Sequence, residues 1–259
     1  MARSWPLSLH LLAVYVFLYG PILLLMVLSL NESGLPTSWS GLSFRWYEAL
    51  AENSAIQRAA INSLIVAAVS TVIATTLGTL LALGVEQRRG SAGLDALLFA
   101  PMIVPDIVLA IALLSFYYIL NFSLGLHSII LSHVVFNIAF ACAVVRARLK
   151  HFDWAMIEAS EDLGAPPHIT FFRVTLPAIL PGVVAAALLA FTLSIDEFII
   201  AFFTAGAGQA STTLPMQVYS MIRFGVTPEI NALATLFLLT SFTLVLIAQR
   251  LSGRRGSLT

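Results

Sequence analysis

Residues 61–85 read INSLIVAAVSTVIATTLGTLLALGV, twenty-five positions without one ionisable side chain. A helix crossing about 30 Å of hydrocarbon needs about 20 mostly apolar residues, and this run meets that demand alone. Five comparable stretches lie near Leu7 to Leu30, Leu97 to Leu120, Leu126 to Val145, Ile179 to Phe203 and Ile230 to Ala248. All are continuously apolar and lack the alternation of lipid-facing strands, so helices are expected and a barrel is not. The predicted fold is an all-α integral membrane protein with six transmembrane helices, residues 1–259 forming a single transmembrane domain.

The composition agrees. The chain of 259 residues is 59% hydrophobic and 10% charged, where a soluble domain carries about 25% charged residues. Thirteen basic and thirteen acidic side chains cancel, which leaves no basic face for a nucleic acid. The one cysteine, Cys142, cannot form an internal disulfide or a Cys-rich metal site, and a buried, inert thiol is expected. The first run follows Arg3, exceeds an ordinary secretory h-region and precedes no A-x-A-like cleavage site, so it reads as a retained helix. Pro21, Pro101 and Pro105 fall inside spans and predict bends, with neighbouring helices or water satisfying the freed carbonyls.

Basic residues near span ends mark the cytoplasmic side. One side holds Arg3, Arg88, Arg89, Arg146, Arg148, Lys150, Arg173, Arg250, Arg254 and Arg255; the other holds Arg45, Arg58 and Arg223. Both termini are therefore expected inside, as an even number of spans requires. The loops from Asn31 to Ala60 and from Thr204 to Glu229 fall outside, and those from Gln87 to Ala96 and Arg146 to Ala178 fall inside.

That last connection, residues 146–178, is long for a loop between adjacent helices and so suggests a role of its own. From Asp153 to Leu163, Ala155, Met156, Ala159 and Leu163 share one helical face while Glu158, Glu161 and Asp162 lie mostly elsewhere, which predicts a short amphipathic helix. Gly164 would stop it, Pro166 and Pro167 would turn the chain, and a second helical segment would run from Pro167 to Val174 and end before Pro177. Such a projecting pair suits a partner's groove; a solvated loop that merely stabilises the bundle is the plain alternative.

The spacing Glu158-Ala159-Ser160, three residues, Gly164, nine residues, Val174-Thr175-Leu176-Pro177 resembles the EAA loop of ABC-importer permeases. Ser160 stands where the family pattern has a third-position Ala, and Val174 where it has Ile. The resemblance implies a type I-like importer permease whose cytoplasmic loop docks on an ATPase, with Glu158, Ala159, Ser160, Gly164, Val174, Leu176 and Pro177 as the coupling positions. It also implies two copies of that ATPase, a second homologous permease subunit forming a heterodimer, an extracytoplasmic solute-binding protein, and residence in the bacterial inner membrane among lipid.

Ionisable groups inside a span cost about 2.5–3.5 kcal/mol each on insertion scales and normally face a cavity. Asp106 follows Pro105 in the third span, and Asp196 and Glu197 interrupt the fifth. At about 1.5 Å per residue, Asp196 lies roughly 25 Å from the inner end of its span, near the outer mouth. Adjacent helical residues point about 100° apart, so one of the two carboxylates is expected to meet solute and the other a neighbouring helix or subunit. A carboxylate there attracts cations, while pairing with Arg58 or Arg223 at the rim is the alternative. His127, His133 and Asn137 share one side of the fourth span; with no carboxylate nearby they make a poor metal site, and interhelical hydrogen bonding is expected. Trp39, Trp46 and Tyr47 read as interfacial anchors.

The segment from Asp196 through Leu214-Pro215, Tyr219-Ser220-Met221 and Gly225-Val226-Thr227-Pro228-Glu229-Ile230-Asn231-Ala232-Leu233-Ala234 is similar to the spermidine/putrescine permease subunits within the same family. Import of a polyamine is thus implied by resemblance, import of another small solute being the alternative. Rival classes differ in sequence. A serine protease of the membrane would want a Gly-x-Ser-x-Gly nucleophile, and an ATPase a Gly-x-x-x-x-Gly-Lys-Ser/Thr loop; neither motif occurs. The chain is therefore expected to be no enzyme and to bind no cofactor, ATP and Mg being used by the partner ATPase. An ATPase-independent secondary transporter or channel would show repeated broken helices, and the sequence offers no convincing repeat.

Overall fold

The computed structural model describes residues 5–34, 38–87, 92–223, 225 and 227–253. In chain order the helices are α1 (Trp5–Leu28), α2 (Arg45–Glu52), α3 (Ser54–Gln87), α4 (Ala92–Ile103), α5 (Asp106–Ile119), α6 (Leu126–Leu149), α7 (Ala155–Asp162), α8 (Pro167–Thr170), a π turn (Phe171–Thr175), α9 (Leu176–Asp196), α10 (Ile199–Thr204), α11 (Leu214–Arg223) and α12 (Pro228–Gly253). Pairing between extended segments is limited, among the described residues, to one isolated antiparallel bridge, Asn31 with Leu42.

Four helices are long and apolar enough to cross a bilayer, Leu7–Leu28, Ser54–Glu86, Leu126–Leu149 and Pro167–Asp196, and α4 with α5 makes a fifth if that bent pair is one span. The expected sixth, Ile230 to Ala248, falls within α12, whose side chains beyond residue 243 lie outside the described residues, as do Arg3, Arg88, Arg89, Arg254 and Arg255.

Three expectations need correction. The third span is not one helix, because α4 and α5 meet at 105°. Pro105 has no N–H and sits in an extended conformation (φ −56°, ψ 137°), and a proline disfavours the α region for the residue before it, so a break replaces the expected bend. The fifth span stops at Asp196: Glu197 is extended (φ −66°, ψ 124°) and α10 begins after it. The segment from Pro167 does not end before Pro177 but runs through the π turn into α9. Pro177 lacks the N–H for an α-type bond and its ring crowds the carbonyl four residues back, and a wider turn just before it relieves both problems.

The chain forms two compact units, residues 58–216 and residues 1–57 with 217–259. In the first, α6 is the central helix. Its Ala141, Cys142, Val145 and Leu149 pack with Ala82 and Leu83 of α3 and Ile179 and Ala186 of α9. Phe136 packs with Ala110, Leu113 and Tyr117 of α5 and Ile200 of α10. Small residues set the spacing: a Cβ on Gly78 would lie 2.7 Å from Ala141 Cβ and 2.9 Å from the Cys142 nitrogen, and one on Gly182 would lie 2.6 Å from Arg148 Cβ. At the end of α6, Arg146 Nε donates to Glu86 of α3 at 2.8 Å and Nη1 to Asp95 of α4 at 2.7 Å, tying three helix ends together.

The second unit is ordered by Asn31, fully buried, whose amide donates to the Ser38 carbonyl at 2.7 Å and whose Oδ1 accepts from the Ser40 N–H at 3.1 Å. The Trp46 indole N–H donates to the Asn31 carbonyl at 2.8 Å, and the Tyr47 and Ser29 hydroxyls share a hydrogen bond of 2.6 Å. These two aromatic residues therefore fold the loop rather than only anchoring it, whereas Trp39 stays exposed. Asn53 donates to Glu229 at 3.2 Å, joining the end of α2 to the start of α12.

Candidate functional site

Glu197 occupies the break between α9 and α10. An extended residue inside an apolar run strands the amides that open the next helix, and these need partners in the membrane. The Glu197 carboxylate supplies them, accepting from the Ile200 N–H at 2.7 Å and the Ala201 N–H at 2.9 Å. Its Oε2 also lies 3.4 Å from Nε2 of His133, a residue 1% exposed against 11% for Glu197. The expectation that the fourth-span histidines lack a nearby carboxylate thus fails for His133, because the broken helix swings Glu197 toward α6. His133 Nδ1 is 2.6 Å from Ser194 Oγ, and Ser194 Oγ is 3.1 Å from Ser70 Oγ. One polar chain therefore links α3, α9, α6 and the α10 terminus.

Asp196 is the last residue of α9 and is exposed. The two acidic neighbours are separated by local structure: Glu197 turns inward to backbone amides, and Asp196 faces outward. Asp106 is exposed in the first turn of α5, and no hydrogen bond or ion pair joins it to Asp196 or Glu197 among the described residues. His127 turns to the Ser123 carbonyl at 2.6 Å rather than toward His133, and no group of three or more His, Cys, Asp or Glu suits a metal among the described residues. Asn137 is fully buried with neither amide atom bonded, as are the hydroxyls of Thr71, Thr75 and Thr79, which recur every fourth residue along α3. Ser70 and Ser194 are functional candidates that the sequence reading passed over; small hydroxyls inside long apolar runs were their only signal.

The connection between α6 and α9 forms a second candidate region. Helix α7 has no buried residue, and Glu158, Ala159 and Gly164 are all exposed. Gly164 adopts φ +80°. Its N–H donates to the Glu161 carbonyl at 2.8 Å and the Ala165 N–H to the Ser160 carbonyl at 3.1 Å, the paired bonds of a Schellman termination. Ser160 Oγ shares a 2.9 Å hydrogen bond with Thr170 Oγ1, joining α7 to α8. Ile157, Glu161, Pro167, Thr170, Phe171 and Thr175 with Leu83 of α3 surround a cavity of about 110 Å³ behind the loop. Val174 and Leu176 are half-buried and Pro177 is exposed where the π turn enters α9. The loop is thus a braced projection whose open outer surface carries apolar Met156 and Leu163, 45% and 89% exposed, beside the exposed acids Glu158, Glu161 and Asp162.

Comparison with known proteins adds three findings. The profile of the family described as binding-protein-dependent transport system inner membrane component matches residues 74–257. The spermidine/putrescine transport system permease protein PotC of Haemophilus influenzae is 36% identical over 258 residues, covering 99% of this chain and 100% of that protein. The putrescine transport system permease protein PotI of Escherichia coli is 42% identical over 243 residues, covering 90% and 85%. Among solved structures, a bacterial ABC transporter involved in import of the acidic polysaccharide alginate superposes with a TM-score of 0.76 at 18% identity, covering 97% of this chain and 96% of that one. The MetNI methionine ABC transporter, in an inward-facing conformation, gives 0.59 at 20% identity, covering 78% and 98%. At these identities the two structures speak to fold alone.

Proposed function

This chain belongs to the family of binding-protein-dependent transport system inner membrane components, and on that premise we propose that it is the permease subunit of an ABC importer that carries polyamines, spermidine or putrescine, across the bacterial inner membrane. The observation that carries the reading is the braced cytoplasmic projection, Glu158 to Gly164, held open between two apolar spans. Extensive identity to polyamine permeases supports the choice of solute. Exposed Asp196, at a helix end within the membrane, suits a cation.

In this reading six helices cross the bilayer with both termini inside, and α7 to Gly164 docks on one of two ATPase copies. A second, homologous permease completes the pathway, and an external solute-binding protein delivers the polyamine. The ATPases bind ATP and Mg; closing of their dimer drives the docked loops, and the paired bundles alternate between outward and inward openings. Asp196, with Asp106 as a second candidate, lines the pathway. Metals and cofactors have no role in this chain.

Reconstitution tests it. Liposomes holding this chain, its permease partner, the ATPase and a loaded binding protein should accumulate labelled spermidine or putrescine only with ATP. Liposomes with this chain alone should accumulate none. Uptake by the chain alone would overturn the reading in favour of a secondary transporter, and ATP-driven uptake of a different solute would overturn the polyamine assignment.

A further inference from the structure

The fifth span could have continued as one helix through Phe203, since every residue from Phe198 to Phe203 is apolar. Instead it breaks at Glu197, and the break needs support because unpaired amides in an apolar surround are costly. Glu197 meets part of the need through Ile200 and Ala201. What holds Glu197 is the remaining polar chain. His133 Nε2 lies 3.4 Å from the carboxylate, within ion-pair distance but without hydrogen-bond geometry; because a carboxylate only accepts, the ring proton is assigned to this nitrogen. Nδ1 is then the acceptor for the Ser194 hydroxyl at 2.6 Å, and Ser194 Oγ lies 3.1 Å from Ser70 Oγ, whose hydroxyl also reaches the Ala67 carbonyl at 3.4 Å. These contacts run from α3 through α9 and α6 to Glu197. The ring is further wedged edge-on against Phe136, with centroids 5.6 Å apart.

Helix electrostatics separate the two carboxylates. Glu197 precedes α10 and meets the positive end of a helix, a stabilising placement; Asp196 closes α9 and meets the negative end, an unfavourable one. Asp196 is also exposed, so neither packing nor the helix dipole explains an acid there.

We propose that His133 is a positioning residue: through the chain Ser70, Ser194, His133, Glu197 it holds the α9–α10 break, so that Asp196 and not Glu197 is presented to the solute. The assignment of Asp196 to a solute path rests on the transport reading above. The clamp itself is a matter of this chain's geometry and can be read without any solute.

Two side chains of similar size separate clamping from packing. Glutamine at 133 places its amide nitrogen near the position of Nε2 and can still donate to Glu197; asparagine reaches only the position of Nδ1. The first readout uses the full chain in membrane vesicles with Asp196→Cys and Cys142→Ala, followed as the rate of labelling by a water-soluble methanethiosulfonate. His133→Asn should slow labelling about tenfold, as expected for losing one buried polar contact to a carboxylate, and His133→Gln should restore it to within about threefold. Ser194→Ala, which frees the ring to turn, should also slow it and decides the question if His133→Asn fails to insert. The second readout is spermidine uptake by the assembled transporter with Asp196 intact: His133→Asn should raise KM for the loaded binding protein's cargo, and His133→Gln should recover it. Unchanged labelling in both His133→Asn and Ser194→Ala would overturn the clamp, as would equal loss in His133→Asn and His133→Gln. Labelling that follows the clamp in a protein that moves no polyamine would support the clamp and overturn the transport reading instead.

Discussion

At the scale of single residues, the two adjacent acids have different neighbours and should answer differently to neutralisation. Asp196→Asn removes charge from an exposed helix end while keeping an oxygen for a local backbone N–H, so uptake of a cationic solute should fall about tenfold, a loss of about 1.4 kcal/mol, with the amount of assembled protein unchanged. Glu197→Gln replaces one of the two accepting oxygens by N–H₂, which then faces a backbone N–H donor, so it should also lower the yield of folded protein in the membrane. The double variant should lose more uptake than assembly; intact uptake in Asp196→Asn would remove that residue from the pathway. Gly164 is the other informative position. A side chain there meets nothing within 4 Å, and its φ of +80° costs an L-residue about 1–2 kcal/mol. Gly164→Trp should therefore insert normally yet uncouple ATP hydrolysis from uptake, because the added bulk would stand in the way of the proposed docking on the ATPase. Normal coupled uptake by that variant would argue against docking at this turn.

Among elements, the tie between Arg146, Glu86 and Asp95 carries the clearest consequence. Arg146 is 19% exposed and its partners 26% and 37%, so the cluster is neither fully screened nor fully desolvated. Removing the guanidinium leaves two carboxylates facing each other across α3 and α4, at a cost of about 1–2 kcal/mol. Arg146→Ala should lower the thermal unfolding midpoint in detergent, and Arg146→Lys, which keeps charge but loses the fork, should recover part of it; an unchanged midpoint in Arg146→Ala would show that packing of α3, α4 and α6 suffices. Element boundaries show where sequence reading ran short. The apolar runs were legible because 20 residues of hydrocarbon contact is a composition property, and the turn at Gly164 was legible because few residues tolerate its backbone. The breaks at Pro105 and Glu197 were not, although both residues were noticed. Apolar content is the same on either side of each, so nothing local separates a bend from a turn of 105°, or an acid facing a pore from an acid capping a helix.

For the whole molecule, the exposed surface indicates what is missing around it. The apolar window of α1 is 0% buried, and Tyr15, Phe17, Leu23 and Leu24 are each more than half exposed. Lipid and the paired permease would cover such a surface. In detergent the chain expressed alone should self-associate as detergent is lowered, whereas coexpression with the second permease and the ATPase should yield one stable complex holding a single copy of this chain, as measured by light scattering on size exclusion. Two copies of this chain in that complex would replace the heterodimer with a homodimer. The sequence by itself determined that the chain lives in a bilayer, and, through the charged ends of its runs and one spaced loop motif, which side and which partner to expect. Those properties follow from composition and local backbone preference. Only the tertiary structure decided which polar groups meet. Ser70, His133, Ser194 and Glu197 are spread over 128 positions, and their meeting depends on helix rotation and on a break at one residue, which no local window of sequence contains.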